Sequence, residues 1–171
     1  LYNINNVDTE YEYIFIAEGV MDVILATKYG LKNVVCTLGS AFREEHYDII
    51  TKLGLIPVML YDGDEKGRKS IKSAMDSIYS KGTYPLVVML PDGYDLADYS
   101  LELKEQLSEA IDAAICTYGF MEAQNLIANY LKDLYRLKAK YRPYLNELLE
   151  KVPEQEREEI RTFLNNELRM F

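Results

Sequence analysis

The chain has 171 residues, 49% of them hydrophobic, enough for one packed core with a smaller appendage and too short for two full-sized domains. With 19 basic against 28 acidic residues, the net charge of −9 opposes nonspecific attraction to nucleic acid or to an anionic membrane. Cys36 and Cys116 form no CxxC pair or Cys/His cluster, and no apolar run approaches the ~20 residues of a membrane span, so a soluble, cytoplasmic protein with free thiols is expected.

Residues 1–12 are polar and Asn-rich and read as a linker. Tyr13–Ala17 is the first strand, broken at Gly19, and Val20 to Leu25 lead a helix toward Gly30 as its C-cap. A second strand covers about 33–37. Leu38-Gly39-Ser40 turns the chain, with Ser40 as the expected N-cap of a helix whose apolar side is Phe42, Tyr47, Ile49, Ile50 and Leu53. Pro57 opens the third strand. The loop from Asp62 to Gly67 feeds a helix carrying Ile71, Ala74, Met75 and Ile78, and Gly82 and Pro85 frame a fourth strand over Leu86–Leu90. Strands alternating with helices predict right-handed βαβ units: a four-stranded parallel, Rossmann-like α/β sheet flanked by helices over 13–100.

From Leu101 to Phe171 the pattern is helical throughout, predicting an all-α C-terminal subdomain. Leu126, Ile127, Tyr130, Leu131, Leu134 and Leu137 form one stripe, Leu145, Leu148, Leu149 and Val152 a second, and Ile160, Phe163, Leu164 and Leu168 a third. Pro143 and Pro153 mark helix starts, since proline suits the first turn. The numerous tyrosines of this tail read as packing groups, and acids such as Glu158 and Glu159 as solvated helix faces.

The informative feature is where the acids fall. Glu18 follows the first strand, Asp62 and Asp64 the third, and Asp95 the fourth. Open parallel sheets bind ligands beyond the carboxyl ends of their strands, so acids delivered there by separate strands converge. Converging carboxylates repel unless protons or cations intervene, and hard oxygen donors favour Mg²⁺ or Mn²⁺. Glu18 reads as a metal ligand or general base, or as an acid that favours the following helix dipole; Asp22 reaches the same crevice or supports Glu18. Lys66, Arg68 and Lys69 (with Lys72) at the next helix start read equally as phosphate contacts or as a solvated basic face. Asp62-Gly63-Asp64 taken alone is an ordinary turn as readily as a metal site. An EF-hand is rejected, because Lys66 and Ser73 stand where ligand oxygens belong. His46, the single histidine, reads as an exposed polar residue, and no P-loop or GxGxxG turn is present.

Glu18-Gly19-Val20-Met21-Asp22, Leu38-Gly39-Ser40-Ala41, Tyr61-Asp62-Gly63-Asp64 with Gly67-Arg68, and Leu90-Pro91-Asp92-Gly93-Tyr94-Asp95, in this order, closely resemble the TOPRIM domain of bacterial-type DNA primases. The resemblance covers about 13–100, and the tail 101–171 looks like the helical subdomain that follows TOPRIM there. It implies template-directed synthesis of RNA primers from ribonucleoside triphosphates with two Mg²⁺ or Mn²⁺ ions. It implies catalytic roles for Glu18, Asp62 and Asp64 and metal binding by Glu18, Asp22, Asp62, Asp64 and Asp95. A single-stranded DNA template and NTPs are the implied partners in a full-length protein, with a replicative helicase contacted through a region not in this sequence. Family members commonly have a carboxylate where this chain has Ala97, and Asp98 substitutes only after a one-residue shift. The chain begins with Leu1 rather than Met, which fits a piece of something longer, and such a piece alone is expected to bind metal but prime poorly. Two other readings remain: a TOPRIM-type nuclease or topoisomerase fragment cleaving phosphodiesters, and a non-enzymatic, receiver-like Mg²⁺-binding domain.

Overall fold

The computed structural model describes residues 1–39, 41–79, 86–132 and 138–168 and divides the chain into two compact units, Leu1–Cys116 and Thr117–Phe171. The first is an α/β unit. Its strands β1 (Tyr13–Ala17), β2 (Val34–Cys36), β3 (Ile56–Tyr61) and β4 (Leu86–Met89) pair in parallel, and the sheet order is β2-β1-β3-β4 with a two-residue β5 (Cys116–Thr117) beyond β4. The helices are α1 (Val20–Lys28), α2 (Glu44–Lys52), α3 (Glu65–Tyr79), α4 (Leu96–Leu103) and α5 (Leu107–Ala114).

Both sheet faces are covered, which explains why the strands are continuous apolar runs rather than alternating ones. Phe15, Ala17, Val58, Leu60 and Val88 share one core with Val23 and Ala26 of α1, Leu96 of α4 and Leu107 and Ile111 of α5. The alternate residues Ile14, Ile16 and Met59 are fully buried too, and α2 and α3 pack on β3 with Ile50, Ile71 and Met75 fully buried. The end of α1 follows the expected glycine chemistry: Gly30 has φ +92°, and Leu31 N–H donates to the Ala26 carbonyl at 3.0 Å. Asn33 ties the lead-in to the sheet. Its amide accepts from Asp8 N–H at 2.9 Å and donates to the carbonyls of Asp8 and Tyr13 at 2.8 and 3.1 Å.

Several features differ from the sequence expectation, the first being the short fifth strand β5 beside the four expected. The α/β unit runs through Cys116 rather than ending near residue 100, because the apolar stripes of α4 and α5 are drawn into the sheet's core. Helix α2 starts at Glu44, with Arg43 as N-cap and the His46 ring nitrogen Nδ1 accepting from its N–H at 3.2 Å; Ser40 lies outside the described residues. His46 is accordingly half-buried against Phe42, not a free surface group. Pro143 sits inside a helix rather than at its start. Gly82 and Pro85 also lie outside the described residues.

The second unit holds α6 (Tyr118–Lys132), α7 (Lys138–Lys151) and α8 (Glu154–Leu168). Ala123, Leu145, Leu148, Leu149, Val152, Ile160 and Leu164 form its core, with Leu126, Phe120 and Phe163 packed against it. The side chains of Ile127, Tyr130, Leu131, Leu134, Leu137 and Leu168 lie outside the described residues. Pro153 caps α8 as expected, its carbonyl accepting from Glu156 and Arg157 N–H. Buried Glu156 accepts a hydrogen bond from the Thr117 hydroxyl, and burial raises its pKa.

Candidate metal centre

Strand order creates the site. Because β1, β3 and β4 are adjacent and parallel, their carboxyl ends open side by side, about 4.8 Å apart per strand. The register pairs Ile16 with Met59 and Tyr61 with Met89, so Glu18 comes level with the end of β3 and Asp62 with the end of β4.

Two loops are then clamped together by their backbones. Gly63 N–H donates to the Tyr94 carbonyl at 2.8 Å, and Gly93 N–H donates to the Gly63 carbonyl at 3.1 Å. A Cβ at Gly63 would stand 2.0 Å from the Pro91 carbonyl oxygen, and one at Gly67 would stand 2.1 Å from the Asp62 carbonyl oxygen. Only glycine admits these approaches. The DGD turn is therefore not a free surface loop but one half of a two-loop edge.

Each acid has a defined position. Glu18 is half-buried; its Oε1 is buried with no hydrogen-bond partner, and its Oε2 lies 3.7 Å from Lys66 Nζ. Asp22 is buried and accepts twice, from Gly19 N–H at 2.9 Å and from Ala97 N–H at 3.1 Å. Asp64 Oδ1 accepts from Gly67 N–H at 2.6 Å, and Asp95 Oδ1 accepts from Asp98 N–H at 2.7 Å as the N-cap of α4. Asp62 accepts no such backbone hydrogen bond among the described residues and feels every neighbour: burial first, then the charges of Glu18, Asp22, Asp95 and Asp64, push its pKa up to about 7. Burial raises Glu18 as well, opposed by Lys66 and reinforced by Asp64 and Asp22. Burial also raises Asp22, against the lowering by its two N–H donors.

The structure thus brings all five predicted acids to one edge, with Asp62 where their fields meet. It does not enclose a ready cage: among the described residues no three of these side chains stand grouped to hold an ion. The physical reason is that unscreened carboxylates repel, while Asp22, Asp64 and Asp95 take backbone N–H partners instead. Asp22 spans the starts of α1 and α4, a positioning role that sequence spacing does not reveal. Asp98 is exposed on the first turn of α4, and Ala97 supplies a backbone N–H rather than a carboxylate.

The three predicted cations separate. Arg68 reaches across to Asp92 at 3.1 Å on the β4 side, whereas Lys66 faces Glu18 and Lys69 pairs with Glu65 at 2.7 Å.

Residues 15–100 match the model of a family described as Toprim-like. The chain belongs to the Toprim-like family. It is 33% identical over 115 residues to the DNA primase of Aquifex aeolicus, covering 67% of this chain and 23% of that protein. Among solved structures it resembles a DNA primase domain from Pseudomonas aeruginosa, at 29% identity and TM-score 0.68, over 93% of this chain and 51% of that one. The fold is shared with a DnaG primase catalytic domain solved with single-stranded DNA, at 24% identity and TM-score 0.69, over 92% and 51% of the two chains. Its TOPRIM domain is thus of the bacterial DNA primase type, and the chain spans about a quarter or less of its curated relatives. No described helix is long and apolar enough to cross a membrane.

Proposed function

We propose that this chain is the metal-binding core of a DNA primase, joining ribonucleoside triphosphates into RNA primers on a single-stranded DNA template as part of a longer protein. The single observation that carries the reading is Asp62, pushed up to about 7 by burial and by four acids delivered from separate strand ends. Such a surplus of hard, negative oxygens suits Mg²⁺ or Mn²⁺, and the buried Oε1 of Glu18 lacks a partner that a hydrated cation or a hydroxyl can supply.

Glu18, Asp62, Asp64 and Asp95 would hold the ions. When bound, these would acidify a primer 3′-hydroxyl and neutralise the triphosphate and departing pyrophosphate. The protein's own part is fourfold. Glu18 guides the proton from the attacking hydroxyl; the Gly63–Tyr94 clamp holds the two acidic loops in register; Asp22 fixes the starts of α1 and α4; and Lys66, Arg68 and Lys69 offer cations to phosphate oxygens. With no preformed cage, ion binding and convergence of the acids are one event. The net charge of −9 means that template DNA is brought by the ions and by parts of the longer protein, not by bulk attraction.

Calorimetric titration with Mn²⁺ tests the site. Asp62→Ala and Asp64→Ala should each weaken binding at least about tenfold, and unchanged affinity in both removes the reading. In a longer protein carrying this segment, Glu18→Gln should lower primer synthesis roughly 10²-fold or more while template binding persists. Strand cleavage without synthesis would point instead to a TOPRIM-type nuclease.

A further inference from the structure

The sheet has a second opening, at the end where its strands begin. Tyr13 starts β1 and Glu18 follows its end, so this opening lies roughly 16 Å along the strand from the carboxylate edge. Tyr13 and Phe15, two apart and so on one face of the sheet, form one wall with Tyr11 of the lead-in, and Ser108 and Asp112, four apart on α5, form the other. The turn between α1 and β2 closes the rim with Lys32. The enclosed volume is about 130 Å³. Small-molecule sites begin at about 300 Å³, so this one suits a single side chain rather than a whole metabolite.

Its chemistry points to a cation. Three aromatic rings line it, and the face of one already holds an ammonium group: Lys32 Nζ stands 4.5 Å from the centroid of the Tyr11 ring. Asp112 has no such partner. Its carboxylate makes no hydrogen bond or ion pair among the described residues, and partial burial alone raises its pKa, with no donor or cation opposing the rise. The Asp112 charge faces the rings, since the Tyr13 phenol is raised by burial, by Glu12 and then by Asp112. A single carboxylate is no site for a divalent ion, which needs several oxygens, and Lys32, exposed and engaged with Tyr11, is a poor anion site. A guanidinium fits: it stacks on an aromatic face and offers paired N–H donors to a carboxylate, with the Ser108 hydroxyl beside it as a further acceptor. The net charge of −9 also draws basic polypeptide segments toward this chain.

We propose that this opening is a docking pocket for an arginine side chain of a partner protein, its guanidinium stacked on Tyr13 and paired with Asp112 and the Ser108 hydroxyl. The partner's backbone stays outside, because the pocket admits no more than a side chain. It shares no residue with the carboxylate edge, so docking here and metal binding there are separable.

The test is an amide-resolved NMR titration of the 171-residue chain in EDTA with Nα-acetyl-arginine amide, Nα-acetyl-lysine amide and the uncharged Nα-acetyl-citrulline amide. Saturable shifts are expected at Tyr11 to Phe15, Gly30 to Lys32 and Ser108 to Asp112, with the arginine probe at least threefold tighter than the lysine probe and the citrulline probe silent. Asp112→Asn should weaken the arginine probe at least tenfold; this carboxylate holds nothing in the fold, so circular dichroism should show the variant folded. Glu109→Gln, at an exposed acid of the same helix outside the pocket, should leave affinity within twofold, and Lys32→Gln should hold or tighten it. Absence of binding, shifts centred on Asp62 to Asp64, binding that persists in Asp112→Asn, or loss of binding in Lys32→Gln would overturn the proposal. Equal affinity for the lysine probe would overturn the guanidinium assignment, and free L-arginine binding more than threefold tighter than the capped probe would overturn the protein partner in favour of a metabolite. With metal removed by EDTA, failure here is separate from failure of the Mn²⁺ titration on Asp62 and Asp64.

Discussion

Replacing Asp62 by Asn should make the metal-free protein more stable, although it removes a residue we assign to metal binding. Asp62 rises from 3.8 to about 7 on folding. A raised carboxylate pKa means that the folded state resists ionisation. Below pH 3.8 the group is protonated in both states and costs nothing; the penalty grows as pH rises toward 7 and is complete above it. A shift of roughly 3 units corresponds to about 4 kcal/mol at full value. Asp62 is only half-buried, so solvent screening reduces this to about 1–2 kcal/mol. Asn keeps the shape and cannot ionise. Urea denaturation in EDTA should therefore show Asp62→Asn more stable than the parent by about 1–2 kcal/mol at pH 8, or a few degrees in Tm. The gain should shrink toward pH 5, and Mg²⁺ or Mn²⁺ should stabilise the parent and not the variant. A destabilised Asp62→Asn, or a gain independent of pH, refutes the electrostatic account of this edge.

Asp22→Asn should act in the opposite direction: its two oxygens accept from Gly19 and Ala97 N–H, and an amide NH₂ facing one of those donors costs about 1–3 kcal/mol, read by the same denaturation. Gly63→Ala should lose about 3 kcal/mol or more and most Mn²⁺ affinity, since the new methyl meets the Pro91 carbonyl oxygen at 2.0 Å; an unchanged Tm would show that the clamp yields freely. Asn33→Ala removes the links to Asp8 and Tyr13 and leaves alanine at φ +53°, so a loss of about 2–4 kcal/mol by thermal unfolding is expected.

Much of the site was legible because its signals are local. An apolar strand ending in an acid reads directly along the chain, and three such endings in a βαβ pattern place Glu18, Asp62 and Asp95 on one edge whatever the details. Other features were not. Leu107 and Ile111 show helical spacing, but spacing does not say which core a helix joins, and they belong to the sheet's core rather than the tail's. Pro143 follows a general preference that its helix overrides. Lys66, Arg68 and Lys69 look alike within one turn of sequence, yet they point to three different neighbours.

The amino-acid order by itself determined the alternation of strands and helices, the burial of both sheet faces and the set of acids at the strand ends, since each follows from side-chain period and backbone chemistry over a few residues. Tertiary structure alone decided that Gly63 and Tyr94 lock two loops together, that Asp22 serves a backbone donor 75 residues further along the chain, and that a lysine–serine face of α3 lies beside Glu18. Those outcomes depend on which strands become neighbours and which way side chains turn once charges compete for partners. Packing and electrostatic repulsion across the assembled sheet set them, and neither acts between residues until the chain has folded.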